Sequence, residues 1–97
     1  RFGPKPGEGP SEADMDGGFT KVRYAATAQD GTVLLGQLKA PGDPGNRVTV
    51  RVLAQSALCV LEGENLSGGV LTPAVALGQA LQDRLAATGK WDLGLLE

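Results

Sequence analysis

The side chains able to do chemistry are few in this chain of 97 residues, which contains no histidine and a single cysteine. Without histidine it lacks the commonest general base and the commonest zinc ligand, so no Ser-His-Asp or Cys-His catalytic arrangement can form from its own residues. Cys59 follows Leu58 in a mostly apolar segment, where we expect a buried, inert thiol. Ser56 has no activating base beside it and is expected to pack inside a helix. The residues therefore predict no catalytic group in this chain.

Three acidic residues near the N-terminus, Glu12, Asp14 and Asp16, raise the question of a cation site. An EF-hand loop needs regularly spaced ligands and a terminal glutamate, and this segment has neither. We therefore interpret the three carboxylates as part of a solvated acidic loop and predict no metal site.

The cations that could cluster are few, and they are Lys21, Arg23, Lys39, Arg47 and Arg51. Arg47 and Arg51 are four residues apart at the start of a predicted helix, where they could hold an anionic substrate group or lie on a solvated surface. The net charge of −2 and the isoelectric point near 5.0 give no general basic patch for nucleic acid. No nucleic-acid partner is predicted.

A β-hairpin is the first element that must position these residues. Residues 19–27 alternate apolar and basic side chains, as a half-buried strand does. Asp30 and Gly31 then favour a tight turn, because both tolerate a positive φ. Residues 32–39 form the second strand, and since both of its faces carry apolar residues we expect it to be the more interior one.

Two helices are predicted next, at about 47–62 and 73–88. The first has an apolar stripe at helical spacing, with Asn46 as the expected N-cap, although the β-branched alternation over 48–52 is a competing strand signal. The members of the stripe are Val50, Leu53, Ala54, Ala57, Leu58 and Leu61.

The second helix begins at Thr72 and Pro73, two start signals together. Its apolar line is Leu77, Leu81 and Leu85, and Gly78 in its middle is expected to let another backbone approach closely.

The ends of the chain complete the predicted fold. Residues 91–95 alternate and predict a short last strand, and whether it joins the same sheet stays open. Residues 1–18 are rich in glycine, proline and charge, which is typical of a linker or loop, and 63–69 is a second loop. The fold class is therefore α+β, an antiparallel hairpin followed by two helices and a short C-terminal strand.

Three ordered segments of the chain form a recognisable pattern. They are PGEGPSE at 6–12 before the hairpin, GDPG at 42–45 with LAQSAL at 53–58, and GGVLTPA at 68–74 with the helix that follows to RLAATG at 84–89. Together they resemble the C-terminal part of the saccharopine dehydrogenase-like oxidoreductases, some bacterial members of which are described as trans-acting enoyl reductases. The last of the three segments resembles the C-terminal signature of that family.

The resemblance implies that residues 19–97 are the C-terminal portion of an oxidoreductase substrate domain, inactive alone. It implies an NAD(P) site in a Rossmann-type N-terminal domain outside this chain, no cofactor within it, and the remainder of the parent chain as partner. Asp43 and Gly45 are expected near the substrate cleft, because a Gly/Pro loop between strand and helix commonly lines one. Asn46 is the third cleft candidate, and it stands where the family often has an aromatic residue. A structural turn is the alternative interpretation of this loop.

Other expectations concern context. The first residue is Arg1, so we expect a processed chain or a piece of a longer one. No signal peptide or membrane-spanning run is found, and a cytoplasmic location is expected. The exposed apolar surface of so small a piece predicts a homodimer or poor solubility. Two alternative functions remain: a self-contained interaction or dimerisation module without enzymatic activity, and an anion-binding module that uses Arg47 and Arg51.

Overall fold

The computed structural model describes residues 5–63 and 68–96 and shows an α+β fold. The first four residues of the predicted linker and most of the predicted loop at 63–69 lie outside the described residues. In chain order the elements are α1 (Glu12–Gly17), β1 (Phe19–Thr27), β2 (Val33–Pro41), a π-helical turn (Pro44–Val48), α2 (Thr49–Glu62), α3 (Pro73–Ala87) and β3 (Asp92–Leu95).

The sheet has the order β1-β2-β3, with both pairs antiparallel. The predicted hairpin is confirmed, and its turn is fixed by Gly31 at φ +85° and by the Thr32 amide, which donates to Asp30 Oδ1 at 2.9 Å. β2 is the central strand, as predicted. β3 joins the same sheet through the pairing of Leu93 with Leu38, which settles the point that the sequence left open.

Helix α1 is a correction to the loop predicted over 1–18. Ser11 caps it by accepting from the Asp14 amide at 3.2 Å, and acidic side chains in its first turn favour the helix dipole. So short a helix is not stable alone. A contact with the rest of the fold stabilises α1, because the Asp43 amide donates to the Met15 carbonyl at 2.9 Å.

Helix α2 exposes the apolar stripe that the sequence predicts as its core face. Val50, Leu53 and Leu61 are 62%, 68% and 80% exposed. The opposite side, with buried Cys59 and half-buried Val52, packs against α3. The stripe has the predicted helical spacing, but it is exposed in the described part of the chain.

Helix α3 supplies the small core that the sequence predicts. Leu77, Leu81 and Leu85 are buried and cluster with Cys59. Arg84 of α3 is half-buried and donates to Gln55 and Glu62 of α2 at 3.3 and 2.5 Å. This polar link joins α2 to α3.

Gly78 bends α3 for a reason other than the one predicted. A Cβ at this position would meet nothing within 4 Å, so no close backbone approach requires glycine. Gly78 instead adopts φ 49° and ψ −130°, a conformation that L side chains rarely take. Its conformational freedom therefore produces the kink.

The molecule as a whole is extended and poorly covered. Its radius of gyration is 16.5 Å, whereas a compact domain of this length has roughly 12 to 13 Å. Its accessible surface is 7424 Å², against about 5200 Å² for a compact monomer of this mass. Much apolar surface therefore has no cover within the described chain.

No described helix combines the length and apolarity needed to cross a membrane.

Candidate functional site

The loop predicted to lie near a cleft is a capping turn between β2 and α2. Asp43 Oδ2 accepts from the Asn46 amide at 2.9 Å, and Asp43 Oδ1 accepts from the Arg47 amide at 3.0 Å. These bonds hold the pKa of Asp43 below its ordinary value, chiefly through the Arg47 amide. Both oxygens of the Asp43 carboxylate therefore cap the start of the helical segment.

The three predicted cleft residues come together in this turn. Asn46 was expected as the N-cap, and this was wrong: it lies inside the π-helical turn, and its own amide donates to Asp43. A Cβ at Gly45 would lie 3.3 Å from Asp43 Oδ2, so the residue packs close to the cap. The geometry gives all three a structural role in the turn, and their position relative to a substrate stays a prediction.

Gly42, just before the cap, is required by its surroundings. It has φ +95°, and a Cβ there would lie 2.6 Å from the Cβ of Arg47. The glycine lets the chain turn tightly from β2 into the cap and brings Arg47 toward α1.

Arg47 pairs with the acidic residues of α1. Its Nε donates to Asp16 at 2.6 Å, and its Nη2 donates to Glu12 at 3.1 Å. The hydrogen bond to Asp16, and then the one to Glu12, raise the pKa of Arg47. Two of the three carboxylates that were interpreted as a solvated loop therefore anchor α1 to the capping turn.

Arg51 joins the sheet to the segment before β3. Its Nη1 and Nη2 donate to the Pro41 carbonyl, both at 3.3 Å, and Nη1 also donates to the Lys90 carbonyl at 3.4 Å. Arg47 and Arg51 thus direct these donors to protein groups, an arrangement that favours a structural role over anion binding.

The two potential nucleophiles, Ser56 and Cys59, both lie on α2. Cys59 is buried in the core, as predicted. Ser56 Oγ is buried and makes no hydrogen bond within the described residues. In the described part of the chain, no group of three or more metal-ligating side chains comes together. These observations supply no catalytic arrangement.

An open pocket of about 510 Å³ lies where the sheet meets the segment before β3. We call it the lysine pocket, because Lys21, Lys39 and Lys90 line it. Its other lining residues include Phe19, Pro41, Trp91 and Asp92. The sequence singled out Lys21 and Lys39 as cations that could cluster but missed Lys90 and Trp91, because their place depends on β3 joining the sheet.

The other face of the sheet is apolar and exposed. Register places its members on one side, and we call them the apolar sheet face: Val22, Tyr24, Leu34, Leu93 and Leu95. A monomeric protein rarely leaves so continuous an apolar surface in water. This face and the stripe of α2 are two surfaces that require cover.

Comparison with known proteins finds relatives named as enoyl reductases. Putative trans-acting enoyl reductases from two strains of Mycobacterium tuberculosis, H37Rv and CDC 1551, are each 40% identical to the chain over 92 residues. A trans-acting enoyl reductase of Mycobacterium ulcerans is 37% identical over 92 residues. Each match covers 92% of this chain and 22% of the relative, so the chain spans about a fifth of their length. No family model matches, and no solved structure matches significantly.

Proposed function

We propose that this chain is the C-terminal portion of an NAD(P)-dependent oxidoreductase of the saccharopine dehydrogenase-like family, and that it completes the substrate domain without being catalytic alone. The observation that carries the proposal is the 40% identity over nearly the whole chain to proteins named trans-acting enoyl reductases. Because those relatives are several times longer, most of the working protein would lie outside these residues.

The exposed surfaces support a role in packing. The stripe of α2 and the apolar sheet face have the composition of a domain core but lie in solvent. Covering such surfaces stabilises a fold by about 25 cal/mol per Å² of apolar area. A larger substrate domain would provide that cover, which explains why α2 presents its most apolar side outward.

The cofactor belongs to the preceding part of the parent in this proposal. A dinucleotide site needs a glycine-rich turn between a strand and a helix, with free amides for the pyrophosphate. Here the turn between β2 and α2 contains Pro44, and its Asn46 and Arg47 amides already donate to Asp43. The parent would work in the cytoplasm.

The decisive experiment starts with the gene. We expect the reading frame upstream of Arg1 to encode a strand, a G-x-G-x-x-G turn and a helix. The longer protein should bind NADPH and oxidise it with an enoyl substrate, whereas the 97-residue chain should do neither. An upstream reading frame without a nucleotide-binding unit, or a longer protein that does not bind NADPH, would contradict the proposal.

A self-contained interaction or dimerisation module is the second candidate, and the apolar sheet face favours it. The same upstream sequence separates the two, because an interaction module needs no nucleotide domain before it. Under this alternative the apolar sheet face would bind a second copy of the chain.

A further inference from the structure

We propose that the lysine pocket binds a small ligand made of a phosphomonoester and an apolar body. The inference is independent of the oxidoreductase assignment, because it depends only on residues of this chain. The pocket volume of about 510 Å³ lies within the range of small-molecule sites, roughly 300–1,000 Å³.

The sheet places two of the lysines side by side. Lys21 and Lys39 are direct partners in the β1–β2 register, so both side chains leave the same face. Like charges directly opposite each other destabilise a sheet. Neither ammonium group makes an ion pair with a described residue, so the repulsion is not relieved by a bridging anion there. A bound anion would relieve it.

The charge balance of the pocket selects the anion. Asp92 is the register partner of Lys39 on the other side of β2, and it contributes one negative charge. Lys21, Lys39 and Lys90 contribute three positive charges, which leaves a net charge of +2. A phosphomonoester carries about −1.5 to −2 at neutral pH, whereas a carboxylate or a phosphodiester carries one negative charge. The dianion is the better match.

Apolar side chains at the same place provide for the rest of the ligand. Phe19 is 75% exposed and lies on the same sheet face as Lys21 and Lys39, next to its register partner Pro41. Trp91 is half-buried and also lines the pocket. Aromatic rings of this kind stack on flat apolar groups. The pocket thus combines cations with an apolar wall.

The test uses phenyl phosphate as the probe and the 97-residue chain. Trp91 is the chain's only tryptophan, so its fluorescence reports directly on the pocket. We expect a saturable change that weakens with added salt, since the attraction is electrostatic. Phenol and inorganic phosphate, titrated separately, should each bind at least about tenfold more weakly, because each lacks one half of the recognition.

Variants assign the binding to the lysines. Lys39→Gln and Lys21→Gln should each weaken phenyl phosphate binding about tenfold, because each removes a charge-assisted contact. Lys21→Gln should also leave the thermal midpoint unchanged or raised, since it removes a like-charge pair. Lys5→Gln is the matched control, because it removes the same charge from a residue that does not line the pocket.

Each outcome decides the matter. Retained affinity in both lysine variants, with circular dichroism unchanged, would overturn the proposal. Equal binding of phenol and phenyl phosphate would show an apolar pocket without anion recognition. Equal binding of inorganic phosphate would exclude the apolar body. Tighter binding of benzoate than of phenyl phosphate would reject the selection of a dianion.

Discussion

At the scale of single residues, Asp43 connects the strand, the turn and the helix. Its two carboxylate oxygens accept from consecutive amides, Asn46 at 2.9 Å and Arg47 at 3.0 Å. The same Arg47 then pairs with Glu12 and Asp16 of α1. A change at Asp43 would therefore disturb α1 as well as the start of the helical segment.

Replacing Asp43 by alanine should lower the thermal midpoint by several degrees, because the cap and the orientation of Arg47 are lost together. Asp83→Ala is the control: it removes the same charge from an exposed helix position whose side chain accepts only from Gln79. The two variants are compared by thermal unfolding followed by circular dichroism. Equal effects would mean that the capping geometry contributes nothing beyond its charge.

The stabilisation by Asp43 should also depend on pH in a defined direction. The pKa of Asp43 is lowered from 3.8 in the folded chain, so its contribution is complete above that pH and is lost as the pH falls through the folded value. The difference in thermal midpoint between the unsubstituted 97-residue chain and Asp43→Ala should therefore be constant near neutrality and become smaller below about pH 4. A difference that grows on acidification would contradict the assigned role.

The candidate site was only partly predictable at this scale. Local patterns identified the turn at 42–46 but chose Asn46 as the cap, since the π-helical turn that moves the cap to Asp43 leaves no periodic signal. Lys90 and Trp91 were missed because the pairing of β3 with β2, which brings them to the lysine pocket, links distant parts of the chain.

At the scale of elements, the correct predictions concern those elements that nearby residues specify. The hairpin and α3 were predicted because turn residues and leucine spacing specify them within a few residues. Helix α1 was missed because its partner Arg47 lies about thirty residues away along the chain, beyond any local pattern. For α2 the period was correct but the covered side was wrong, because periodicity identifies the apolar face and not what packs on it.

Gly78 gives a prediction for α3. Gly78→Ala should destabilise the chain by about 1–3 kcal/mol, because alanine is strained at φ 49° and ψ −130°. Gly94→Ala is the control, since a Cβ at Gly94 also meets nothing within 4 Å but its φ needs no glycine. Chemical denaturation of both variants gives the comparison. A stabilised Gly78→Ala with more helical signal would show that α3 runs straight when glycine is removed.

At the scale of the whole molecule, both the extended shape and the exposed surface indicate that the apolar residues are incompletely covered. A radius of gyration of 16.5 Å goes with a core of a few residues and two uncovered apolar surfaces. Covering these surfaces is the main stabilisation still available to this chain, and a larger parent or a second copy could supply it.

The isolated chain should therefore associate. We expect sedimentation to show dimers or larger species, or precipitation, because the edge strands and the apolar sheet face seek a partner. Val22→Lys combined with Leu34→Lys should shift the chain toward monomer, since both residues are exposed on that face. Thr27→Lys, on the opposite face, is the control. If the unsubstituted 97-residue chain sediments as a monomer at high concentration, the predicted association is wrong.

The whole chain should also fail to bind a nicotinamide dinucleotide tightly. Three amides at its helix starts already donate to capping side chains: those of Asn46 and Arg47 to Asp43, and that of Val75 to Thr72. The lysine pocket matches one phosphomonoester, but a dinucleotide also needs a glycine-rich turn for its pyrophosphate. Calorimetric titration with NADPH should therefore give no micromolar binding, and any heat should disappear in Lys39→Gln. Micromolar binding that persists in this variant would mean that the nucleotide site lies within these 97 residues, and its assignment to the preceding part of the parent would be wrong.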